Sequence, residues 1–197
     1  MRHATAATFA ATFAALSAGL WLAPATAAAG PLTAGVNLGL SQSELDGQAG
    51  MDPSRTIGLF GRLAFNNRLA GQLEVARLET QDDSTSIRTA TASLVVDLGS
   101  KGRLVPTLIA GIGMDWEDST YGSANEAHHI EGGLGLEYRA EGGLTLGIDV
   151  RLGGRTLHQQ EDIAYPTDVR GGVAYIVPSQ LQEGEYRTAQ LKLGVRF

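Results

Sequence analysis

The sequence alternates apolar and polar residues with a period of two, and its last eleven residues, 187–197, show this pattern most clearly. Successive side chains of a β-strand point to opposite sides, so this pattern predicts a strand with two unlike faces. One face carries only Ala189, Leu191, Leu193, Val195 and Phe197. A face without a polar residue that ends on an aromatic side chain is unusual for a soluble domain, and it indicates a strand that lies against an apolar medium.

Seven further segments alternate in the same way, which predicts seven more strands. Their apolar faces begin at Leu32, Ile57, Leu69, Ala90, Leu104, Ile130 and Leu144. Each segment has roughly the 9–11 residues that a tilted strand needs to cross a bilayer. Two-sheet sandwiches and lipocalin-like barrels also alternate, so the alternation alone leaves a soluble fold open.

The connections between these segments alternate in length. Tight turns with residues that tolerate positive φ are predicted at 66–68, 99–103 and 141–143. Longer polar loops are predicted at 43–54, 79–86, 117–127 and 156–186. Short periplasmic turns, long extracellular loops and an even strand number are typical of outer-membrane barrels. The sequence therefore predicts an all-β fold, an eight-stranded antiparallel up-and-down transmembrane β-barrel over residues 30–197.

The first 29 residues have the composition of a cleavable signal peptide. Arg2 and His3 precede an Ala-rich apolar run, and the small residues 25–29 follow Pro24. The alternative is an N-terminal membrane anchor, but alanine is only weakly hydrophobic and no charged stop-transfer sequence follows. Cleavage after Ala29 leaves about 168 residues, which is enough for one domain.

Composition excludes several classes of function. The chain has no cysteine, so disulfides and thiolate metal sites are excluded. Its formal charge of -6 argues against a nucleic-acid partner, which would require a clustered basic surface. After residue 29 no apolar stretch is long enough for a membrane helix. No cofactor is predicted.

The polar strand faces carry charges of both signs, which we expect to point into the lumen of the barrel. The predicted lumenal charge network comprises Arg62, Glu74, Asp97, Glu131, Glu137, Asp149, Arg151 and Lys192. An eight-stranded barrel is just wide enough for side chains to fill, so these charges either neutralise one another as a plug or line a narrow gated channel. Glycines such as Gly111, Gly133 and Gly147 share this face; they relieve crowding or leave a cavity for an apolar ligand.

Three aromatic residues fall at the periplasmic ends of the outward faces. Phe65, Tyr138 and Phe197 are predicted to form one aromatic girdle at the membrane interface. At the opposite ends of strands three and four, Arg77 and Arg88 point outward. Their guanidinium groups are candidate contacts for lipopolysaccharide phosphates, or ordinary rim charges.

Candidate catalytic residues are few. His128 and His129 open strand six, and His129 shares the inward face with Glu131, but a base and a carboxylate still require a nucleophile within reach. The same two residues do not complete a metal coordination shell. His158 is followed by Gln159 and Gln160, whereas lipid A deacylases of this size carry a His-x-Ser pairing. We therefore assign no catalytic residue and no metal ligand.

The whole segment 30–197 resembles the small bacterial outer-membrane β-barrel superfamily that includes OmpA-like, OmpX-like and opacity-type proteins. The resemblance rests on the terminal strand and the loop alternation. It implies residence in the outer membrane of a Gram-negative bacterium, with Phe197 as the signal read by the barrel-assembly machinery. It also implies a structural or surface-interaction role in adhesion or envelope integrity, with outer-membrane lipid, lipopolysaccharide and host or surface ligands as partners of the loops.

Two other functions stay open at this stage. The first is a narrow channel or transporter for small or apolar solutes, and the second is a lipid A-modifying enzyme. The long segment 156–186 is expected to form a hairpin above the membrane and contact partners, because loops of this length are usually functional or disordered.

Overall fold

The computed structural model describes residues 32–44, 54–79, 85–99, 102–119, 125–159, 181 and 183–197. They form eight strands: β1 (Leu32–Glu44), β2 (Ser54–Ala64), β3 (Leu69–Glu79), β4 (Thr85–Asp97), β5 (Leu104–Ser119), β6 (Glu126–Arg139), β7 (Leu144–Gln159) and β8 (Gly184–Arg196). The predicted signal peptide and the predicted hairpin within the last loop lie outside the described residues.

The strands close into a single barrel in chain order. Each strand pairs antiparallel with the next, and β1 pairs with β8 through partners such as Leu38 and Leu191. The predicted eight-stranded up-and-down topology is thus confirmed. None of the described residues belongs to a helix that is long and apolar enough to span a membrane.

The two faces of the wall differ in polarity as the alternation predicts. Outward residues are large and apolar: Ile112 is 66% exposed and Ile130 is 67% exposed. Most of the buried residues are polar or charged and point into the lumen. This polarity is the reverse of that in a soluble sandwich or lipocalin-like barrel, where the apolar face is buried. It matches a barrel with lipid outside, where a charge near the bilayer midplane costs about 2–4 kcal/mol.

The first and third tight turns are located where the sequence predicts them, at the end of the barrel that also holds Leu32 and Phe197. Residues 100 and 101 of the second turn lie outside the described residues. In the first turn the Asn66 Oδ1 atom accepts hydrogen bonds from the backbone N–H groups of Arg68 and Leu69, both at 2.9 Å. In the third turn Gly142 and Gly143 have φ values of 95° and 89°, a region that disfavours residues with a Cβ atom. Outer-membrane barrels have their short turns on the periplasmic side, so we expect this end to face the periplasm.

The strands extend further into the long connections than the sequence predicts. The predicted loops begin at Ser43, Glu117 and Thr156, but β1, β5 and β7 continue to Glu44, Ser119 and Gln159, and β8 already begins at Gly184. The backbone ladder does not depend on apolar side chains, so pairing continues after the apolar alternation stops. Loops whose boundaries are placed where the alternation ends are therefore predicted too long.

The inward glycines are matched to large side chains of neighbouring strands. A Cβ atom on Gly113 would lie 2.4 Å from the His129 ring, and one on Gly153 would lie 2.4 Å from the Tyr186 ring. A Cβ atom on Gly133 would lie 2.9 Å from the Arg151 side chain. At these three positions a Cβ atom would overlap a neighbouring side chain, so the glycines relieve crowding. Gly153 also lines a cavity of about 600 Å³ between β6, β7 and β8.

Candidate functional site in the barrel lumen

The lumen holds every residue of the predicted charge network, because all of them occupy inward positions on their strands. Arg62 comes from β2, Glu74 from β3 and Asp97 from β4. The others come from β6, β7 and β8, and are Glu131, Glu137, Asp149, Arg151 and Lys192. The structure resolves them into two groups of contacts, a central one and one at the periplasmic end.

The central group is built around Arg151, which is only 1% exposed. Its guanidinium donates to Glu131 Oε1 at 2.5 Å, to Glu74 Oε2 at 2.9 Å and to Asp149 Oδ1 at 3.2 Å. Lys192 Nζ lies 2.5 Å from Asp149 Oδ2 and 3.6 Å from Glu74 Oε2. Three carboxylates thus face two cations across the middle of the lumen.

The periplasmic group pairs two arginines with two carboxylates. Arg62 Nη1 lies 2.5 Å from Glu137 Oε2, and Arg139 Nε lies 2.7 Å from Glu137 Oε1. Arg139 Nη1 also lies 2.8 Å from Asp97 Oδ2. Gln72 joins the two groups, since its Oε1 accepts from Arg62 Nε at 3.0 Å and its Nε2 donates to Glu74 Oε2 at 3.2 Å.

A third group lies on the extracellular side of the centre, and the sequence analysis did not identify it as a unit. Arg155 Nε lies 2.5 Å from Asp115 Oδ2, and Asp115 Oδ1 lies 3.2 Å from His129 Nδ1. Tyr186 donates to Glu131 Oε2 at 3.1 Å and stacks its ring edge against His129. Asp115 is on an inward position of β5, whereas Arg155 and Tyr186 lie at the two ends of the predicted last loop. If the alternation of inward and outward residues is continued to the ends of the strands, all three side chains are predicted to point into the lumen.

Within this group Thr91, His129 and Asp115 are arranged like the nucleophile, base and orienting acid of a catalytic triad. Thr91 Oγ1 lies 3.0 Å from His129 Nε2, and the opposite ring nitrogen faces Asp115. All three side chains are buried, and the adjoining cavity has a volume of about 30 Å³, comparable with one water molecule. The geometry supplies the nucleophile that the sequence analysis lacked, but it leaves no space for a substrate.

Metal binding is not favoured by this arrangement. His129 is already contacted by Asp115 and Thr91, and Glu131 by Arg151 and Tyr186. In the part of the chain that the structure describes, no three His, Cys, Asp or Glu side chains are placed to hold a metal ion.

The two mouths of the lumen differ in polarity. On the extracellular side the buried apolar residues Leu78, Ile87, Ala127 and Leu181 pack together, with Leu157 against them. We call this group the apolar cap. At the periplasmic mouth a polar pocket of about 270 Å³ is lined mainly by polar and charged side chains. Leu181 precedes β8, so the end of the last long connection contributes directly to the apolar cap.

The outward residues singled out in the sequence are located at the two rims. Phe65, Tyr138 and Phe197 are exposed at the turn end of the barrel. Arg77 and Arg88 are exposed at the other end, where they stand directly opposite each other on β3 and β4.

Comparison with known proteins agrees with this architecture. A sequence model described as outer membrane protein beta-barrel domain matches residues 10–197. No curated protein matches significantly.

Among solved structures, the neisserial surface protein A (NspA) superposes with a TM-score of 0.63 at 10% identity, covering 84% of this chain and 97% of that chain. The attachment invasion locus protein Ail of Yersinia pestis gives 0.51 at 18% identity, covering 85% and 99%. The N-terminal β-barrel domain of Pseudomonas aeruginosa OprF gives 0.52 at 12% identity, covering 86% and 99%. At these identities the superpositions show the fold alone.

The family match over nearly the whole chain, the closed eight-stranded barrel and its apolar outer wall lead to one conclusion. The chain belongs to the outer membrane protein beta-barrel domain family and resides in the outer membrane of a Gram-negative bacterium.

Proposed function

We propose that this protein is a plugged outer-membrane barrel whose extracellular loops carry a structural or surface-interaction role, in adhesion or in envelope integrity. The observation that carries the proposal is Arg151, which is buried in the middle of the lumen and contacts three carboxylates. A lumen filled by paired charges has no space for a solute, so the proposal assigns contact with partners to the long connections at the extracellular end.

Conductance of the refolded barrel in planar bilayers tests the plug. We expect no discrete openings for the unmodified protein. Discrete openings whose size changes in Glu74→Gln or Lys192→Met would contradict the plug and support the narrow channel. One observation favours the narrow channel: the central group contains more carboxylates than cations. If the lumen conducts, this excess predicts selectivity for cations.

The loop role requires a separate experiment, because the tips of the long connections lie outside the described residues. Each of the segments 45–53, 80–84, 120–124 and 160–180 is replaced in turn by a short Gly-Ser linker. We expect intact barrels, seen as a heat-dependent shift in gel mobility, with loss of surface binding in at least one variant. Because the similar barrel Ail is an attachment invasion locus protein, attachment to cells is the first binding assay to run. Unchanged attachment and unchanged envelope permeability in all four variants would contradict the proposal.

The outer rim supplies a second proposed contact. Arg77 and Arg88 are directly opposed on β3 and β4, so two exposed guanidinium groups lie close together at the outward face of the extracellular end. Guanidinium groups at this level of the membrane would donate bidentate hydrogen bonds to lipopolysaccharide phosphates. We expect the double variant Arg77→Gln/Arg88→Gln to retain less lipopolysaccharide in native mass spectrometry. Arg103→Gln, at the periplasmic end, is the matched control, and equal retention by all three proteins would refute the contact.

A lipid A-modifying activity is the third function, and the Thr91–His129–Asp115 arrangement is the observation that favours testing it. Lipid A from cells with the unmodified protein and with His129→Ala is compared by mass spectrometry. Because the three side chains are enclosed, we expect identical lipid A profiles. A difference that depends on His129 would establish the enzyme.

A further inference from the structure

The periplasmic mouth of the lumen carries more positive charge than its own carboxylates neutralise. The polar pocket there is lined by four arginines, at positions 62, 68, 139 and 196, and by two carboxylates, Asp97 and Glu137. The formal excess is therefore two positive charges in a pocket of about 270 Å³. The other lining residues carry no formal charge, among them Thr33, Asn66 and Asn67.

The carboxylates of this pocket are already used by two of the arginines. Glu137 contacts both Arg62 and Arg139, at 2.5 Å and 2.7 Å, and Asp97 contacts Arg139 at 2.8 Å. The remaining two, Arg68 and Arg196, have no ion-pair partner among the described residues. The backbone N–H of Arg68 donates to Asn66 Oδ1 in the first turn, and Arg196 is the last residue of β8. Both residues are therefore positioned at the pocket by hydrogen-bonded backbone.

We propose that this pocket is a binding site for an oxyanion, a phosphate or carboxylate group that enters from the periplasmic side. Guanidinium groups bind such groups through paired N–H donors, and the amide and hydroxyl groups of the lining supply further donors. The deeper pair Arg62–Glu137 forms the floor of the pocket and keeps the anion out of the lumen. The site is independent of the extracellular loops, and it shares Arg62, Asp97 and Glu137 with the lumenal charge network.

Two sources present this chemistry at the periplasmic rim, free anions in solution and the phosphate of an anionic phospholipid headgroup. The arginine Nε–H signals of the refolded chain are followed by NMR in maltoside micelles, which contain no phosphate, during titration with inorganic phosphate. The same signals are recorded in phosphatidylcholine nanodiscs with increasing phosphatidylglycerol. Saturation in micelles identifies a free oxyanion, whereas changes that require phosphatidylglycerol identify the headgroup.

The double variant Arg68→Gln/Arg196→Gln decides whether the pocket is responsible. We expect its apparent affinity, for whichever source binds, to fall at least tenfold, while Arg103→Gln stays within twofold of the unmodified protein. Arg103 is a matched control because it lies at the same end, outside the pocket, and pairs with Glu141. Gel mobility before and after heating shows that each variant is folded. The proposal is overturned if neither titration saturates, or if the control variant loses as much affinity as the double variant.

Discussion

Replacement of Arg151 by Met tests whether buried ion pairs hold the barrel together. Methionine keeps a long unbranched side chain and removes the guanidinium. Three carboxylates, Glu74, Glu131 and Asp149, then face only Lys192.

The structure sets the size of the expected effect. The Arg151 side chain is 1% exposed, and removing one partner of a buried ion pair costs about 3–5 kcal/mol because a buried charge is left uncompensated. The pair Arg103–Glu141 is the matched control, with side chains 58% and 85% exposed. Exposed pairs contribute about 0–1 kcal/mol, so Arg103→Met should change stability little.

The assay is equilibrium unfolding by urea from phospholipid vesicles, followed by the fluorescence of Trp116. We expect a much lower midpoint for Arg151→Met than for Arg103→Met. Adding Glu74→Gln to Arg151→Met should recover part of the loss, since it removes one uncompensated carboxylate. If Arg151→Met and Arg103→Met lose the same free energy of unfolding, the lumenal charges are solvated and the plug is not held by ion pairs.

Three further outcomes are expected. Deletion of Phe197 should lower the amount of barrel in the outer membrane severalfold, because this residue is the proposed assembly signal; fractionated membranes measure it. Gly153→Ala should destabilise the barrel by about 1–3 kcal/mol, because its Cβ would overlap the tyrosine ring beside it. Thr91→Val should cost about 1–3 kcal/mol, because His129 Nε2 loses its buried partner, with lipid A unchanged.

Each of these has its own control. Normal outer-membrane levels of the deletion variant would contradict the assembly role of Phe197. Gly154→Ala is the matched control for Gly153→Ala, because a Cβ atom at Gly154 would have no atom within 4 Å. Equal losses of unfolding free energy in the two variants would show that crowding is not the cause. A lipid A profile altered by Thr91→Val would instead favour the enzyme.

The fold could be predicted from the sequence because a period of two assigns every side chain to one of two faces. Parity alone places Glu74, Asp149 and Lys192 in the lumen. It does not give the stagger between strands, which sets the depth of each residue along the barrel. Arg62 is the clearest example, because parity places it on the same inward face as Glu74, whereas it pairs with Glu137 and reaches Glu74 only through Gln72.

The upper part of the lumen was missed for another physical reason. Apolar outward residues mark only the part of a strand that crosses lipid, whereas hydrogen bonding between strands continues above it. Arg155 and Tyr186 lie in that extension, next to the predicted loop. Asp115, which pairs with Arg155, therefore had no visible counterpart in the sequence. The depth of the lumen therefore depends on strand ends that the alternation does not mark.

The matched glycines of the wall have a consequence for engineering. The inner width of the lumen depends on a few large side chains that pack against glycines, in pairs such as Gly113 with His129 and Gly153 with Tyr186. Shortening the large member of a pair would widen the lumen at that level without altering strand number or tilt. The inner width of a barrel with eight strands can thus be adjusted one level at a time through its side chains.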